Sequence, residues 1–263
     1  MEARVVLIKH SVAPDDDRVV GYFRSAGISP EILYPFKGDI LSDFDERVVG
    51  SVIYGGPFNV YETDRHEFLL EEHRWAEICM KKSVPLLGIC QGAQSIAYVL
   101  GAHVGPKEGL PHEFGYYPIY PTEEGKDLFP AKLHVAQSHF HEFHIPSGAT
   151  HLAFSDLFVF QAMKYGKETF AFQFHAEVTR AGFARWQGKP NSYFGKPGAQ
   201  DLEEQNRLGD RHDPSQHVWF MKFLDDLFGP HLRERGLSAP DGADGVSKTD
   251  RMKPAVGSFG KAG

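Results

Sequence analysis

The sequence predicts an α/β fold, with an open, mostly parallel sheet, helices on both faces and an antiparallel strand extension. Two patterns indicate it. Up to about residue 105, short apolar runs alternate with amphipathic stretches, as in strands that are buried on both faces and connected by helices. From about Glu113 onward the apolar runs follow one another closely, which is typical of antiparallel strands.

In the first half of the chain, each apolar run predicts a strand and each amphipathic stretch predicts a helix. The helical pattern after Asp17 has Val19, Val20 and Phe23 on one side and ends at Gly27. The predicted strands are 5–9, 32–35, 48–54 and 85–89, and the further predicted helices are 65–82 and 92–100.

In the second half, the predicted strands are 116–120, 133–137, 151–154, 158–165 and 169–174, with a hairpin turn at 165–167. The stretch 187–214 is rich in Gly, Asn, Asp and Lys, and it predicts at most one helix, near 201–208. Its role, as a lid or as a partner surface, stays open. A closing helix is predicted at 216–228, ended by Gly229 and Pro230.

We expect residues 1–236 to form a single domain and residues 237–263 to be a disordered tail. From Leu237 onward Ala, Gly, Asp, Lys and Ser dominate, and no apolar period survives.

The composition is that of a globular protein, with 41% hydrophobic and 24% charged residues. The formal net charge is -7 and no stretch is dense in Lys and Arg, so we expect neither nucleic acid nor a membrane surface as a partner. A small-molecule substrate stays allowed. The first apolar run is too short for a signal peptide, and the chain has only two cysteines, which together predict a cytoplasmic location.

The most informative stretch surrounds Cys90. An apolar strand runs directly into a helix, and the turn between them carries Cys90 with Gly88 and Gly92 two positions away on either side. This is the pattern of a nucleophile elbow with sulfur in place of the serine oxygen. The helix N-terminus favours a thiolate, which is the reactive form of cysteine. Taken alone, the same string is equally typical of a small buried core residue; Cys79, on the apolar face of a helix, is interpreted as core.

A second segment offers a base for such a nucleophile. The predicted strand 169–174 is followed by His175 and Glu177, whose side chains point the same way on an extended chain. Active sites of open α/β sheets lie at the carboxyl ends of the strands, so these side chains are candidates to meet Cys90. Their alternative role is to cap the strand.

A third segment, Gly55, Gly56 and Pro57, also follows an apolar strand. Such a loop can direct backbone N–H groups at a developing oxyanion, together with the N–H of Gln91. Taken alone, it is better interpreted as an ordinary turn.

Together the three segments resemble the class I glutamine amidotransferases, in which a G-G-P loop, a G-[I/V]-C-x-G-x-Q elbow and a Q-F-H-P-E segment occur in this order. The resemblance covers roughly residues 5–185 and implies a flavodoxin-like sheet. It also implies hydrolysis of the glutamine side-chain amide through a γ-glutamyl thioester, with no cofactor.

The resemblance implies a role for each matching residue. Cys90 is the nucleophile, His175 the general base and then acid, and Glu177 the residue that orients His175. The residues implied in the oxyanion hole are Gly56 and Gln91, and those implied in substrate binding are Gln94, Ser138 and His139.

Three departures from the family pattern concern the substrate more than the mechanism. Ala176 stands in place of the usual proline, and Gln91 in place of the commoner leucine or phenylalanine. Phe140 and His141 replace the usual Gly-Asp, which puts recognition of the α-amino and α-carboxylate groups in doubt.

Three functions stay open. The chain resembles stand-alone proteins related to the glutaminase part of GMP synthase, a subgroup that includes γ-glutamyl peptidases. It carries no phosphate-binding loop and no pyrophosphatase motif, so ammonia would pass to a separate synthetase subunit or to no acceptor at all. Glutamine hydrolysis ranks first, a γ-glutamyl peptidase acting on a larger conjugate second, and a non-catalytic regulatory or binding domain third. A metal site at His139, His141 and His144 with Glu142 is a further alternative, and we expect no metal.

Overall fold

The computed structural model of the chain describes residues 3–41, 44–190 and 192–237. Except for Leu237, the tail predicted to be disordered lies outside the described residues.

The described residues form eleven strands and five α-helices, with one short 3-10 turn at Pro35–Lys37. Strands β1–β11 are Arg4–Ile8, Glu31–Leu33, Val48–Ile53, Leu86–Ile89, Val104–Pro106, Glu113–Pro121, Leu133–His139, His141–Phe143, Ala149–Phe154, Ala162–Tyr165 and Thr169–Phe172. Helices α1–α5 are Arg18–Ser25, Phe68–Lys81, Gln91–Val99, Arg180–Gln187 and Leu202–Glu234.

Nine of the strands form one mixed sheet in the order β2-β1-β3-β4-β11-β10-β9-β6-β7. Pairing is parallel from β2 to β11 and antiparallel from β11 to β7. The five parallel strands, taken in chain order, follow the 2-1-3-4-5 order of flavodoxin-like folds. The predicted fold class is therefore confirmed. The small two-stranded sheet of β5 and β8 was not predicted.

Strand β1 shows why the sheet is covered on both faces. Successive side chains of a strand point to opposite faces, and all four apolar residues of β1 are at most 1% exposed. Val5 and Leu7 pack in the core beneath α1 and α5, whereas Val6 and Ile8 pack in the core beneath α2 and α3. The continuously apolar run at the start of the sequence is the signature of this double burial.

The two predicted C-terminal helices are one helix, α5, so the predicted break between them was wrong. Its N-cap is Asp201, whose side chain accepts a hydrogen bond from the N–H of Glu204 at 2.8 Å. Pro214 and Pro230 lie inside α5, where proline removes a backbone hydrogen bond and normally ends a helix. Hydrogen bonds to the sheet hold the helix in place before and after Pro214. Gln205 donates to the Phe114 carbonyl, and Gln216 accepts from the Ala136 N–H.

The remaining features of the fold concern its helices. Helix α4, which follows the last strand of the sheet, was not predicted. None of the helices in the described part of the chain combines the length and the apolar character that a membrane crossing requires.

Candidate active site

Cys90 lies in the turn between β4 and α3, at the N-cap of the helix. Its backbone has φ 51° and ψ -106°, which is uncommon for a residue with a Cβ and is held by a hydrogen bond from its N–H to the Phe172 carbonyl at 2.7 Å. Strain of this kind persists where the surrounding structure fixes it, and it concentrates at functional sites. The side chain of Cys90 is 7% exposed.

The two glycines of the elbow are required by close packing. A Cβ on Gly88 would lie 2.6 Å from the carbonyl oxygen of Gly92, and a Cβ on Gly92 would overlap the carbonyl oxygen of Ile53. Strands β3 and β4 are neighbours in the sheet, so α3 can pass this closely over them only without side chains at these positions.

His175 and Glu177 lie just beyond the carboxyl end of β11, the strand that neighbours β4. The Nδ1 atom of His175 is 2.8 Å from Oε1 of Glu177, and Cys90 is the other group whose proximity raises the pKa of the ring. The ring of Trp186 covers His175 edge-on, with 4.7 Å between ring centroids. The structure therefore brings the three predicted residues together, in the order sulfur, imidazole, carboxylate.

The charge state of His175 follows from this arrangement. Burial alone would lower the pKa of His175, but the charges of Glu177 and of a Cys90 thiolate, and the hydrogen bonds to both, raise it to about 10. At neutral pH the ring is then an imidazolium, which lies beside the Cys90 sulfur. Such a pair can attack a carbonyl carbon and afterwards protonate a leaving group.

Arg18 supports the segment that carries the pair. Its guanidinium donates to the Ala176 carbonyl at 2.8 Å and to the Asp213 carboxylate at 2.7 Å, and its N–H donates to the Glu177 carbonyl at 2.9 Å. Arg18 is 6% exposed. The first turn of α1 and the middle of α5 therefore hold the His175–Glu177 segment from two sides.

The loop of Gly55, Gly56 and Pro57, called the glycine loop below, lies beside Cys90 and His175. A Cβ on Gly55 would lie 2.7 Å from Cε1 of His175 and 3.2 Å from Cβ of Cys90. Among the described residues, no acceptor receives a hydrogen bond from the N–H of Gly56. The N–H of Gln91 is the first of helix α3, where helical geometry provides no acceptor.

These groups open into a cavity of about 420 Å³. Cys90, His175, Glu177, Gly56 and Ser138 contribute to its lining.

The side chains of three other predicted site residues have partners elsewhere. Gln94 donates to Gln173 at 3.1 Å, His139 bonds Glu113 at 3.1 Å, and Gln91 accepts from the N–H of Phe58 at 2.9 Å. None of the three contributes to the cavity lining.

The histidines of the alternative metal site point to different partners. His139 lies against Glu113, and the ring of His141 stacks on Tyr61 with 6.3 Å between centroids. Within the described ranges, no group of three or more His, Cys, Asp or Glu side chains is arranged to hold a metal ion.

Several cavity residues were missed by the sequence reasoning. His10 follows β1, Asp16 and Arg185 form a two-bond ion pair at 2.6 and 2.9 Å, and Trp186 and Tyr193 contribute aromatic surface. Of these residues, only Asp16 has a signal in the nearby sequence, because it lies in a run of acidic residues. Arg185 and Trp186 lie in a helix that was not predicted, Tyr193 lies in the stretch whose role was left open, and nothing in the sequence around His10 marks it.

Comparisons with known proteins find similar sequences and similar folds. The family model described as "Glutamine amidotransferase class-I" matches residues 17–183. Among curated proteins, the glutamine-hydrolyzing GMP synthase of Debaryomyces hansenii is 34% identical over 143 residues, covering 53% of this chain and 25% of that protein. One subunit of the glutamine-hydrolyzing GMP synthase of Methanococcus maripaludis is 30% identical over 144 residues, covering 53% of this chain and 69% of that one.

The chain spans between 25% and 34% of the length of the first GMP synthases that it matches. Among solved structures, a glutamine amidotransferase from Thermotoga maritima is 30% identical with a TM-score of 0.69, covering 89% of this chain and 98% of that one. A second such structure, from Methylobacillus flagellatus, has a TM-score of 0.77 at 20% identity over 93% of this chain and 98% of that one, which shows a shared fold.

Proposed function

The chain belongs to the class I glutamine amidotransferases, and from that premise we propose that it hydrolyses the side-chain amide of glutamine through a γ-glutamyl thioester on Cys90. The placement of Cys90, His175 and Glu177 at one cavity, with His175 hydrogen-bonded to Glu177, is the observation that supports this proposal most directly. All three residues are at most 7% exposed, yet all three border the cavity, as a nucleophile and its base must.

The reaction follows from the positions of the groups. The Cys90 thiolate attacks the amide carbon, and the N–H groups of Gly56 and Gln91 stabilise the oxyanion. His175 protonates the departing nitrogen, so ammonia leaves and the thioester forms. His175 then takes a proton from water, which attacks the thioester and releases glutamate and the Cys90 thiol. Glu177 holds the ring in one orientation throughout.

Substrate binding is the less supported part of the proposal. Ser138 lines the cavity, which supports its predicted binding role, whereas Gln94 and His139 bond other protein groups. For those two residues the binding role stays a prediction. Asp16 and Arg185 lie at the cavity and carry the charges that an α-ammonium and an α-carboxylate group would need.

The second candidate function is hydrolysis of a γ-glutamyl conjugate with a larger leaving group. Its support is the size of the cavity, about 420 Å³, which exceeds what a free glutamine molecule fills. Trp186, Lys189 and Tyr193 form a wall that lies beyond the segment matched by the family model. Such a wall offers aromatic and cationic surface to a leaving group.

A separate synthetase subunit is the partner that we propose for the glutamine reaction. The relative from Methanococcus maripaludis is named as one subunit of its GMP synthase, and it is matched over 69% of its length. We propose that residues 1–236 act as one glutaminase domain, which would deliver ammonia to such a partner.

The test is glutamate release by the purified protein, first from glutamine, then from glutathione and from a γ-glutamyl anilide. Wild type, Cys90→Ala and Cys79→Ala are compared. Cys79 is the matched control, since it is fully buried on the inner face of α2 and its burial raises the pKa of the thiol to about 12. We expect Cys90→Ala to lose all release and Cys79→Ala to retain it.

The substrates separate the two candidate functions. Cys90-dependent release from glutamine supports the amidotransferase, and release only from the conjugates supports the peptidase. Unchanged release in Cys90→Ala would overturn the mechanism.

A further inference from the structure

A second histidine–glutamate pair is buried behind the glycine loop. His10 follows β1, Glu72 lies in α2, and neither side chain has any exposed surface. The Nε2 atom of His10 is 2.9 and 3.0 Å from the two carboxylate oxygens of Glu72. A buried pair of this kind adds little net stability, because the cost of desolvation offsets the attraction. Its position beside the loop therefore points to a role in the site.

The hydrogen bonds of His10 fix its ring. The Nδ1 atom lies 3.1 Å from the carbonyl oxygen of Tyr54, and a carbonyl oxygen can only accept, so Nδ1 carries a hydrogen and donates. The other nitrogen is hydrogen-bonded to the Glu72 carboxylate. Both nitrogens are therefore engaged, and the ring has one orientation.

This ring is in direct contact with the start of the glycine loop. The Tyr54 carbonyl belongs to the same planar peptide unit as the Gly55 N–H, which points the opposite way, so fixing one fixes the other. A Cβ on Gly56 would overlap Cβ of His10 and lie 2.6 Å from Oε1 of Gln91. The backbone at Gly56 is thus enclosed between His10 and the elbow.

We infer that His10, oriented by Glu72, is the positioning residue of the oxyanion loop: it holds the Tyr54 carbonyl and packs against the backbone of Gly56, and it thereby directs the N–H of Gly56 toward the substrate carbonyl. This inference rests on the proposed function, because an oxyanion forms only when Cys90 attacks a carbonyl carbon. In this role His10 acts through the loop backbone and takes no part in proton transfer.

The inference predicts a loss of kcat with little change in KM. In His10→Phe, the rate of glutamate release should fall about 10- to 100-fold. Removing an oxyanion donor itself lowers the rate by at least as much, and His10 only positions such a donor. KM should stay within about threefold, because the loop stabilises the transition state and not the bound substrate. His10→Asn should recover part of the loss, since its amide can donate to Tyr54 from near the position of Nδ1.

Two reagents separate positioning from a structural role. Acylation of Cys90 by p-nitrophenyl acetate passes through an oxyanion, whereas its alkylation by iodoacetamide does not. In His10→Phe we expect acylation to fall at least about tenfold and alkylation to stay within about twofold. Cys90→Ala gives the background, and His73→Phe, in the next position after Glu72 along α2, is the matched control.

The rates of acylation and alkylation together show whether His10 positions the loop. An equal fall in both reactions would show that His10 supports only the fold, and no fall in either would show that the loop does not need it; both overturn the inference. If His10→Phe does not fold, Glu72→Leu retains the ring but frees its orientation, and it is measured in the same way. A wild type that is acylated by the ester but releases no glutamate from any γ-glutamyl compound would refute the proposed function, and the acylation-to-alkylation ratio would still test His10.

Discussion

The Nδ1 atom of His175 and the Oε1 atom of Glu177 lie 2.8 Å apart, while the other carboxylate oxygen of Glu177 has no hydrogen-bond partner among the described residues. Both side chains are 6% exposed. A buried carboxylate with one engaged oxygen has little else to neutralise it. Its charge therefore acts mainly on the imidazole, which is why the pKa of His175 is raised despite burial.

Replacing Glu177 tests this relationship. Glu177→Gln keeps the shape of the side chain but removes the charge that raises the pKa of His175, so less imidazolium and less thiolate form near neutral pH. We expect kcat for glutamate release to fall about 100-fold or more with KM little changed. Steady-state kinetics measure kcat and KM. The rate of Cys90 alkylation at about pH 6 to 7 measures the reactivity of the sulfur. A variant with unchanged kcat would show that Glu177 has no part in orienting His175.

The packing at Gly92 predicts a severe effect of one methyl group. In Gly92→Ala the new Cβ would overlap the backbone oxygen of Ile53, which cannot move without distorting the sheet. We expect the free energy of unfolding to fall by about 3 kcal/mol or more and glutamate release to be lost. Urea unfolding measures the first result, and an activity assay measures the second. Gly21→Ala in α1 is the control: nothing lies within 4 Å of its added Cβ, and we expect a gain of up to about 1 kcal/mol. Equal behaviour of the two variants would refute the packing argument.

The Arg18–Asp213 ion pair predicts a non-additive effect. Arg18→Met leaves a buried Asp213 carboxylate without its 2.7 Å partner and frees the Ala176 carbonyl, so about 3 kcal/mol of stability should be lost. In the double variant Arg18→Met, Asp213→Leu no unpaired charge remains, and part of that stability should return. Urea unfolding of all four proteins of the cycle gives the coupling. Strictly additive losses would show that the two side chains do not act as a pair.

A stacked histidine pair predicts a loss of stability in acid. The rings of His134 and His212 lie 3.7 Å apart, and burial, with the nearby positive charge, lowers the pKa of His134 to about 4 and also lowers that of His212. The unfolded chain takes up these protons near pH ~6.5, so between about pH 6.5 and 4 it binds more protons than the folded chain, and stability falls as pH falls.

The measurement is the urea midpoint of wild type and His134→Phe from about pH 7.5 down to about pH 4.5, across the window in which His134 titrates. We expect a steeper decline for the wild type. Since every other histidine and carboxylate is shared by the two proteins, parallel declines would mean that the stacked pair contributes nothing to the acid dependence.

The parts of the fold that the sequence predicts are those with a local signal. Residues 5–8 are apolar on both faces, and Asp17 caps α1 by accepting from the N–H of Val20, as its position indicates. The elbow is predictable for the same reason, because strand, glycine, nucleophile, glycine and helix lie within one short segment.

The parts that were missed depend on contacts between distant residues. The helix α5 passes through Pro214 while Gln205 donates to the sheet and Gln216 accepts from it. His10 and Glu72 are 62 positions apart, and neither has a neighbour in the sequence that indicates the other. Local propensity cannot predict such pairs, because they exist only once the sheet is assembled.

Helix α5 has a consequence for when activity can arise. Arg18 reaches the Ala176 carbonyl in a position set by Asp213, which lies 195 residues later in the chain. During synthesis Cys90, His175 and Glu177 therefore leave the ribosome before the segment that supports them. A nascent chain that has not yet added α5 exposes the apolar face of the sheet that this helix covers, and its catalytic turn lacks its support. A helix that is made after Cys90, His175 and Glu177 therefore completes the support of the segment that carries two of them.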